Sequence, residues 1–319
     1  MSAKVKAEAK RPVSRKEMTK FSWTMKEIRK NGIAYLMLAP YYIIFVLFTI
    51  FPVILSLVLS FTDFNMLQTP NIVGFNNYIR LFLDDDIFII ACKNTLIFAA
   101  ITGPVSYVMS FLIAWFINEL PPKIRAVVTL IFYAPNIAGS VYMIWQVAFS
   151  GDSYGYVNGA LINLGIITKP ITFFEDVNYI MPLCIVVALW TSLGTSFLSF
   201  IAGLQVVDRS LYEAGAVDGV KNRWQELWYI TLPYMKPQLM FGAIMAITSS
   251  FGFGGVVTAL CGFPSTDYAA WTIMHHLEDY GGTGGRYEIG YASAIATLLF
   301  LLMIGCNALV KKLLSKVGQ

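Results

Sequence analysis

The chain has 319 residues, 57% of them hydrophobic and only 13% charged, with a formal net charge of +4. A soluble domain carries roughly 25% charged residues, so a chain this apolar has to turn part of its surface to lipid, and so small a net charge gives no footing for nucleic-acid binding. Cys92, Cys184, Cys261 and Cys306 stand far apart with no C-x-x-C, which leaves no metal or dithiol motif.

The first thirty residues are polar and carry ten bases: Lys4, Lys6, Lys10, Arg11, Arg15, Lys16, Lys20, Lys26, Arg29 and Lys30. They do not read as a signal peptide, because the apolar run behind them is too long and no small-residue cleavage site follows closely. A membrane-crossing helix needs about 20 apolar residues. Six stretches qualify: 33–61, 95–118, 126–149, 179–204, 238–260 and 291–310. Pro40 and Pro52 lie in the first, and Pro104, Pro135 and Pro182 predict kinks in the next three. His275 and His276, the only histidines, fall in a connection read as loop, where an imidazole pair is expected to be solvated.

Nineteen of the 23 Lys and Arg fall on one side of these spans: the N-terminal ten, Lys123, Arg125, Arg209, Lys221, Arg223, Lys236, Lys311, Lys312 and Lys316. Arg80, Lys93, Lys169 and Arg286 fall on the other. By the positive-inside rule both termini are cytoplasmic. The expected organisation is a basic cytoplasmic tail 1–32, an all-α membrane domain of six helices over 33–314, and a short cytoplasmic tail 315–319. A polar cytoplasmic connection, 205–236, joins the fourth and fifth spans.

None of the acids or bases falls inside the six stretches. Ion-coupled carriers place an ionisable group at membrane depth, so a secondary carrier is disfavoured. No Gly-Lys dipeptide occurs, which excludes a P-loop, and no H-E-x-x-H is present. The chain reads as a non-enzyme that binds no cofactor, and energy for uphill transport has to come from another subunit.

The connection 205–236 then carries the most information. Ser210 with Glu213 three residues on fits a capping box opening a helix over 211–218, and Gly219 fits its C-terminal turn. Asn222 with Gln225 caps a second short helix, on which Trp224, Leu227 and Trp228 share a face. Arg209, Lys221, Arg223 and Lys236 balance Asp208, Glu213, Asp218 and Glu226. A neutral, mixed-charge helical knob suits docking into a protein groove; a capped interfacial loop with no partner gives the same pattern.

With Glu213, Ala214, Gly219, Ile230, Leu232 and Pro233, the stretch resembles the "EAA" loop of binding-protein-dependent ABC importer permeases. Gly215 stands where the second alanine is usual, and the ten residues between Gly219 and Ile230 exceed the usual spacing by one. "NIVGFNNYIRLF" (71–82), "FYAPNIAGSVYMIWQVAF" (132–149) and "EIGYASAIATLLFLLM" (288–303) are similar to segments of the maltose-type sugar permeases within that family. The resemblance implies a permease subunit in a bacterial or archaeal cell membrane. It would form the path with a second permease, with two ATPase subunits that bind the ATP and an external solute-binding protein that delivers sugar. Glu213, Ala214, Gly215, Asp218, Gly219, Ile230, Leu232 and Pro233 would then form the ATPase-coupling segment.

Sugars are held by hydroxyl and amide hydrogen bonds and by aromatic faces. Ser192, Thr195, Ser196 and Ser199 would share one face of a continuous fourth helix, as sugar contacts or as small residues for close helix packing. Tyr133, Asn136, Tyr142, Trp145 and Gln146 mix aromatics with amides on the third span. Ser249 and Ser250 precede "GFGG", where the fifth span is expected to unwind beside a cavity. A non-sugar cargo such as glycerol phosphate is the runner-up, and the absence of Lys and Arg from the spans argues for a neutral sugar.

Overall fold

A computed structural model describes Thr24, residues 27–139 and residues 141–314. Lys4, Lys6, Lys10, Arg11, Arg15, Lys16, Lys20, Lys26 and Lys316, on which much of the expected topology rests, and the tail 315–319 lie outside the described residues. Among the described residues the chain is helical, with no strands beyond the isolated bridges Thr62–Ile72 and Gly281–Tyr287. It forms two compact units, Met1–Leu55 and Ser56–Gln319.

From the first unit, α1 (Gly32–Phe45) passes into a π turn (Val46–Ile50) and then into α2 (Phe51–Leu59), within which the division at Leu55 falls. Pro52 has no amide to donate and its ring crowds the carbonyl four residues back. The wider turn directly ahead of it relieves that conflict, with Phe51 N–H bonded to Val46 O.

After α2 come α3 (Asn76–Leu83), α4 (Asp86–Asn118), α5 (Pro122–Ile137), α6 (Tyr142–Ala148) and α7 (Tyr156–Asn163), all in the second unit. It continues with α8 (Val177–Thr191), α9 (Thr195–Val206), α10 (Arg209–Val217), α11 (Arg223–Glu226), a π turn (Leu227–Thr231) and α12 (Leu232–Tyr234). The last elements are α13 (Lys236–Phe251), α14 (Gly254–Cys261), α15 (Ile273–Tyr280) and α16 (Ile289–Leu314).

Five runs are long and apolar enough to cross a membrane: Gly32–Leu59, Asp86–Asn118, Val177–Val206, Lys236–Cys261 and Ile289–Leu314. Among the described residues that makes five, or six if the pair α5 and α6, bent by 81°, counts as one span. The helices run longer than the apolar stretches, so Asp86, Lys93, Lys236, Lys311 and Lys312, expected outside the spans, sit within their ends. At 1.5 Å per residue α4 is about 50 Å long, against a hydrocarbon core of about 30 Å, which leaves room for charge at its termini.

The buried face of α4 is largely small: Ala91, Ala99, Gly103, Ser106, Ser110 and Ala114. Small side chains let helix backbones approach closely, and α4 packs against α8, α9 and α13 along its length. Thr95, Thr102 and Ser106 are buried here, and each returns its hydroxyl to a carbonyl of its own helix. Toward Asn118, the ends of α4, α9 and α13 share a core of Phe111, Phe197, Phe200, Leu204 and Leu239. Toward Asp86, Leu81, Phe88, Trp271, Tyr280, Tyr291 and Ile295 form another, which closes α3, α15 and α16 over the head of α4.

The histidine expectation fails here. His275 and His276 lie on α15, not a loop, and are buried at 0% and 2% exposure. The connection between the last two spans folds back as an amphipathic helix, and both imidazoles fall on its inner face.

Candidate functional site

At the Asn118 end of α4, the segment between α9 and α13 folds into the expected pair of short helices, with its first cap displaced. Asp208, not Ser210, is the N-cap of α10, its carboxylate accepting from Ser210 N–H at 3.0 Å. That bond holds the Asp208 carboxyl below its usual range. With the helix beginning at Arg209, Ser210 lies inside the first turn and no capping box with Glu213 forms.

The C-terminal turn is as expected. Gly219 has φ +94, Val220 N–H bonds to Gly215 O at 2.9 Å and Gly219 N–H to Ala216 O at 3.3 Å, the paired bonds of a Schellman turn. Asn222 caps α11 by accepting from Gln225 N–H, and Gln225 Oε1 accepts from Lys221 N–H.

The second short helix does not stop at Leu232-Pro233. It runs through a π turn, which holds one residue more than an α turn, and ends at Met235. Of its expected apolar face, Leu227 is buried among Phe111, Phe197 and Leu204, whereas Trp224 and Trp228 are exposed, Trp224 lying 5.2 Å from Trp115.

The pair of helices is fixed to the membrane-crossing elements at several points. Tyr212 and Thr231 hydroxyls meet at 2.9 Å, and Met235 is fully buried. Gly215 lies under Ile230: a β-carbon there would meet Ile230 Cδ1, the end of a flexible side chain, at 2.6 Å. Arg223 bridges Glu119, at the foot of α4, and Glu226. A polar cleft of about 700 Å³ opens between α10 and the α4–α5 connector, bordered by Glu119, Arg125, Arg209, Tyr212 and Arg223. The outward face stays unpaired: Glu213, Ala214, Val217, Asp218 and Gly219 are exposed, and Glu213 has no hydrogen bond or ion pair among the described residues.

The second group of candidate residues gathers where three spans are broken. The third breaks between α5 and α6, the fourth at Ser192–Gly194, and the fifth at Gly252–Phe253, the unwinding expected at "GFGG". The breaks in the third and fourth meet directly: Asn136 Nδ2 donates to Thr191 O at 3.0 Å, and a β-carbon on Gly194 would meet that amide at 2.8 Å. Gln146 Nε2 donates to Ala259 O of α14 at 2.6 Å. Trp145 lies 5.5 Å from Trp190, and its indole nitrogen is buried without a partner among the described residues. Tyr133 and Tyr142 are partly buried at the edges of this region.

The continuous Ser/Thr face expected on the fourth span does not exist. Ser192 sits in the break with its hydroxyl returned to Leu189 O, while Thr195, exposed, and Ser196, buried, begin a new helix. Gly194, at φ −107 and ψ −131, interrupts the 3.6-residue period on which that face depended. On the fifth span Ser249 is exposed, whereas Ser250 is buried and bonded to Ile247 O.

Sequence reading missed Asp208, the Arg223–Glu119 bridge and Asp85, whose carboxylate lies 2.9 Å from His276 Nε2. Asp208 followed by Arg-Ser is a legible N-cap pattern. The other two are long-range pairings with no local signal.

The comparisons agree with the architecture. No protein-family model matches the chain. The lactose transport system permease protein LacF of Rhizobium radiobacter is 32% identical over 227 residues, covering 70% of this chain and 72% of LacF. The probable ABC transporter permease protein YesP of Bacillus subtilis is 29% identical over 300 residues, covering 89% and 91%. A chain of a solved bacterial ABC transporter that imports the acidic polysaccharide alginate superposes with a TM-score of 0.71 at 27% identity, covering 91% of this chain and 98% of that one. The apolar helices, the broken spans and these relatives together make this chain a member of the permease subunits of sugar ABC transporters.

Proposed function

We propose that this permease forms half of a sugar path with a second permease, and that Glu213–Gly219 couples it to a separate ATPase as the knob that docks in the ATPase groove. The orientation puts residues 205–236, the tail 1–32 and the tail 315–319 in the cytoplasm, with 33–314 as the membrane domain. Two ATPase subunits bind the ATP, so this chain needs no cofactor and performs no chemistry of its own.

The observation that carries the reading is the junction of three broken spans bound to one another through Asn136 and Gln146. Discontinuous helices expose backbone carbonyls and amides at membrane depth only where they line a cavity or a binding site. Tyr133, Tyr142, Trp145, Thr195 and Ser199 would supply aromatic and hydroxyl groups to the path, with Ser192, Ser196, Ser249 and Ser250 as further candidates. Helices α6, α8, α9 and α14 hold no Lys or Arg, so an anionic cargo would find no counter-charge among them, which favours a neutral oligosaccharide. The solved importer in complex with an alginate pentasaccharide-bound periplasmic protein supports delivery by an external binding protein, which the proposed orientation puts at the Asp86 end of α4.

The test is Trp145→Phe. The ring contact with Trp190 is kept and the unpartnered indole N–H is removed. A hydrogen bond to sugar is worth about 1 kcal/mol, so the KM for uptake should rise about fivefold with assembly unchanged. An unchanged KM would remove Trp145 from the path.

A further inference from the structure

At the Asp86 end of α4, about 50 Å from the coupling segment, a polar cluster is buried inside an otherwise apolar core. Asp85 is its centre. Oδ1 caps α4 by accepting from Phe88 N–H at 2.9 Å, and Oδ2 accepts from Tyr291 O–H of α16 at 2.7 Å and lies 2.9 Å from His276 Nε2 of α15. One carboxylate thus ties the head of α4, the start of α16 and the helix between the last two spans.

The partners fix the imidazole's proton. His276 Nδ1 faces Trp271 Nε1 at 3.3 Å. An indole N–H only donates, so Nδ1 must accept and the ring proton sits on Nε2, donated to Asp85. A second proton could go only to Nδ1, where it would oppose the Trp271 N–H. His275, next in the chain, is held the same way: Nδ1 accepts from Thr272 N–H and Nε2 faces Thr258 Oγ1 at 3.1 Å.

The remaining charged and titratable groups around His276 are Asp279 and Tyr280 on its own helix, Arg286 beyond it, and Arg80, which pairs with Glu288 and lies 4.1 Å from the Tyr291 ring. Arg286 donates to Tyr280 O–H at 2.9 Å. Arg80 and Arg286 have acidic partners in Glu288 and Asp279.

We propose that His276 is a positioning residue for substrate delivery: neutral, it pins α15 to Asp85 and Tyr291, and its protonation releases that helix. This rests on the reading that a loaded binding protein docks at this end of the permease. α15 lies in the connection between the last two spans, so its seating would shape that surface.

The sign follows from burial, which lowers the His276 pKa below the ordinary 6.5 although Asp85 opposes this. The pinned state binds fewer protons than a released one. It is fully favoured above about pH 6.5 and loses at most tenfold per pH unit below that, down to the pKa in the pinned state. Burial pushes His275 down to about 4, so it stays neutral over the same range.

With only two histidines in the chain, selective ¹⁵N-histidine labelling of the full chain in nanodiscs yields two imidazoles to follow. At pH 7.5 both should be Nε2–H tautomers, and His276 should titrate below 6.5. An Nδ1–H tautomer, or titration at or above 6.5, overturns the proposal whatever the chain transports.

The second arm measures binding-protein-stimulated ATP hydrolysis in the reconstituted importer between pH 7.5 and 5.5. Glutamine can donate to Asp85 and accept from Trp271 without titrating, so His276→Gln should keep the activity at pH 7.5 and lose the acid-side fall. His275→Gln should retain the wild-type fall. A wild-type fall retained in His276→Gln, or no fall in the wild type, refutes the proposal. Absence of stimulation at every pH refutes the delivery reading instead.

Discussion

Gly219→Val is the sharpest perturbation of the coupling segment. No atom lies within 4 Å of a β-carbon built on Gly219, so the substitution meets no side chain and its cost is purely conformational. At φ +94 an L-residue pays roughly 1–2 kcal/mol, and a β-branched one is the worst case. That energy acts on the two bonds of the turn, Val220 N–H to Gly215 O and Gly219 N–H to Ala216 O. Their loss would turn the exposed Glu213–Asp218 face away from its seat on Ile230. A shift of 1–2 kcal/mol lowers the docked population about 5- to 30-fold. The assay is ATP hydrolysis by the reconstituted complex, with and without loaded binding protein. The valine variant should insert and assemble yet lose most of the stimulation, whereas Gly219→Asn, which tolerates this backbone region, should keep most of it. Full stimulation in the valine variant refutes the coupling role.

Labelling from outside should modify a cysteine placed at Asp84 and spare one at Asn222, because the two lie beyond opposite ends of α4; the reverse pattern overturns the orientation. Leu227→Ala, in the core joining the π turn to α4 and α9, should cost about 2–5 kcal/mol and lower stimulation and thermal stability together, and an unchanged melting temperature would contradict that anchoring. Gly194→Ala forces its methyl against the Asn136 amide and should impair uptake through the broken spans, with normal uptake counting against the junction. Cys184 and Cys261 on α8 and α14 stand 3.7 Å apart at sulfur. Cys184 is buried, so a short bifunctional thiol reagent should join the pair only during turnover, if these helices part, and then arrest transport; cross-linking in the resting protein would show that the pair is reached without turnover.

The spans were legible because about 20 consecutive apolar residues have few other uses, and the Gly219 turn because only glycine accepts that backbone cheaply. The unwinding at Gly252–Phe253 was legible for a related reason, three of the four residues 252–255 being glycine. Gly194 was passed over: one glycine among serines and threonines reads as tolerable within a helix, yet its partner is Asn136, 58 positions away in sequence. The two histidines were misread because nothing local distinguishes a loop from a helix folded under its neighbours. Asp85, which makes the site for His276, is 191 residues distant. Local signals recovered helices and turns, and long-range polar pairing stayed hidden.

The central claim is that this permease moves a sugar only when its coupling segment is driven by ATP. It is tested most directly by reconstituting the chain with its partner permease, ATPase subunits and binding protein in liposomes, with ATP on the side of residues 205–236 and labelled oligosaccharide with binding protein on the other. The account predicts uptake against a gradient that requires ATP and binding protein together and is abolished by Gly219→Val. Uptake without ATP, or ATP-driven uptake untouched by that substitution, would contradict it.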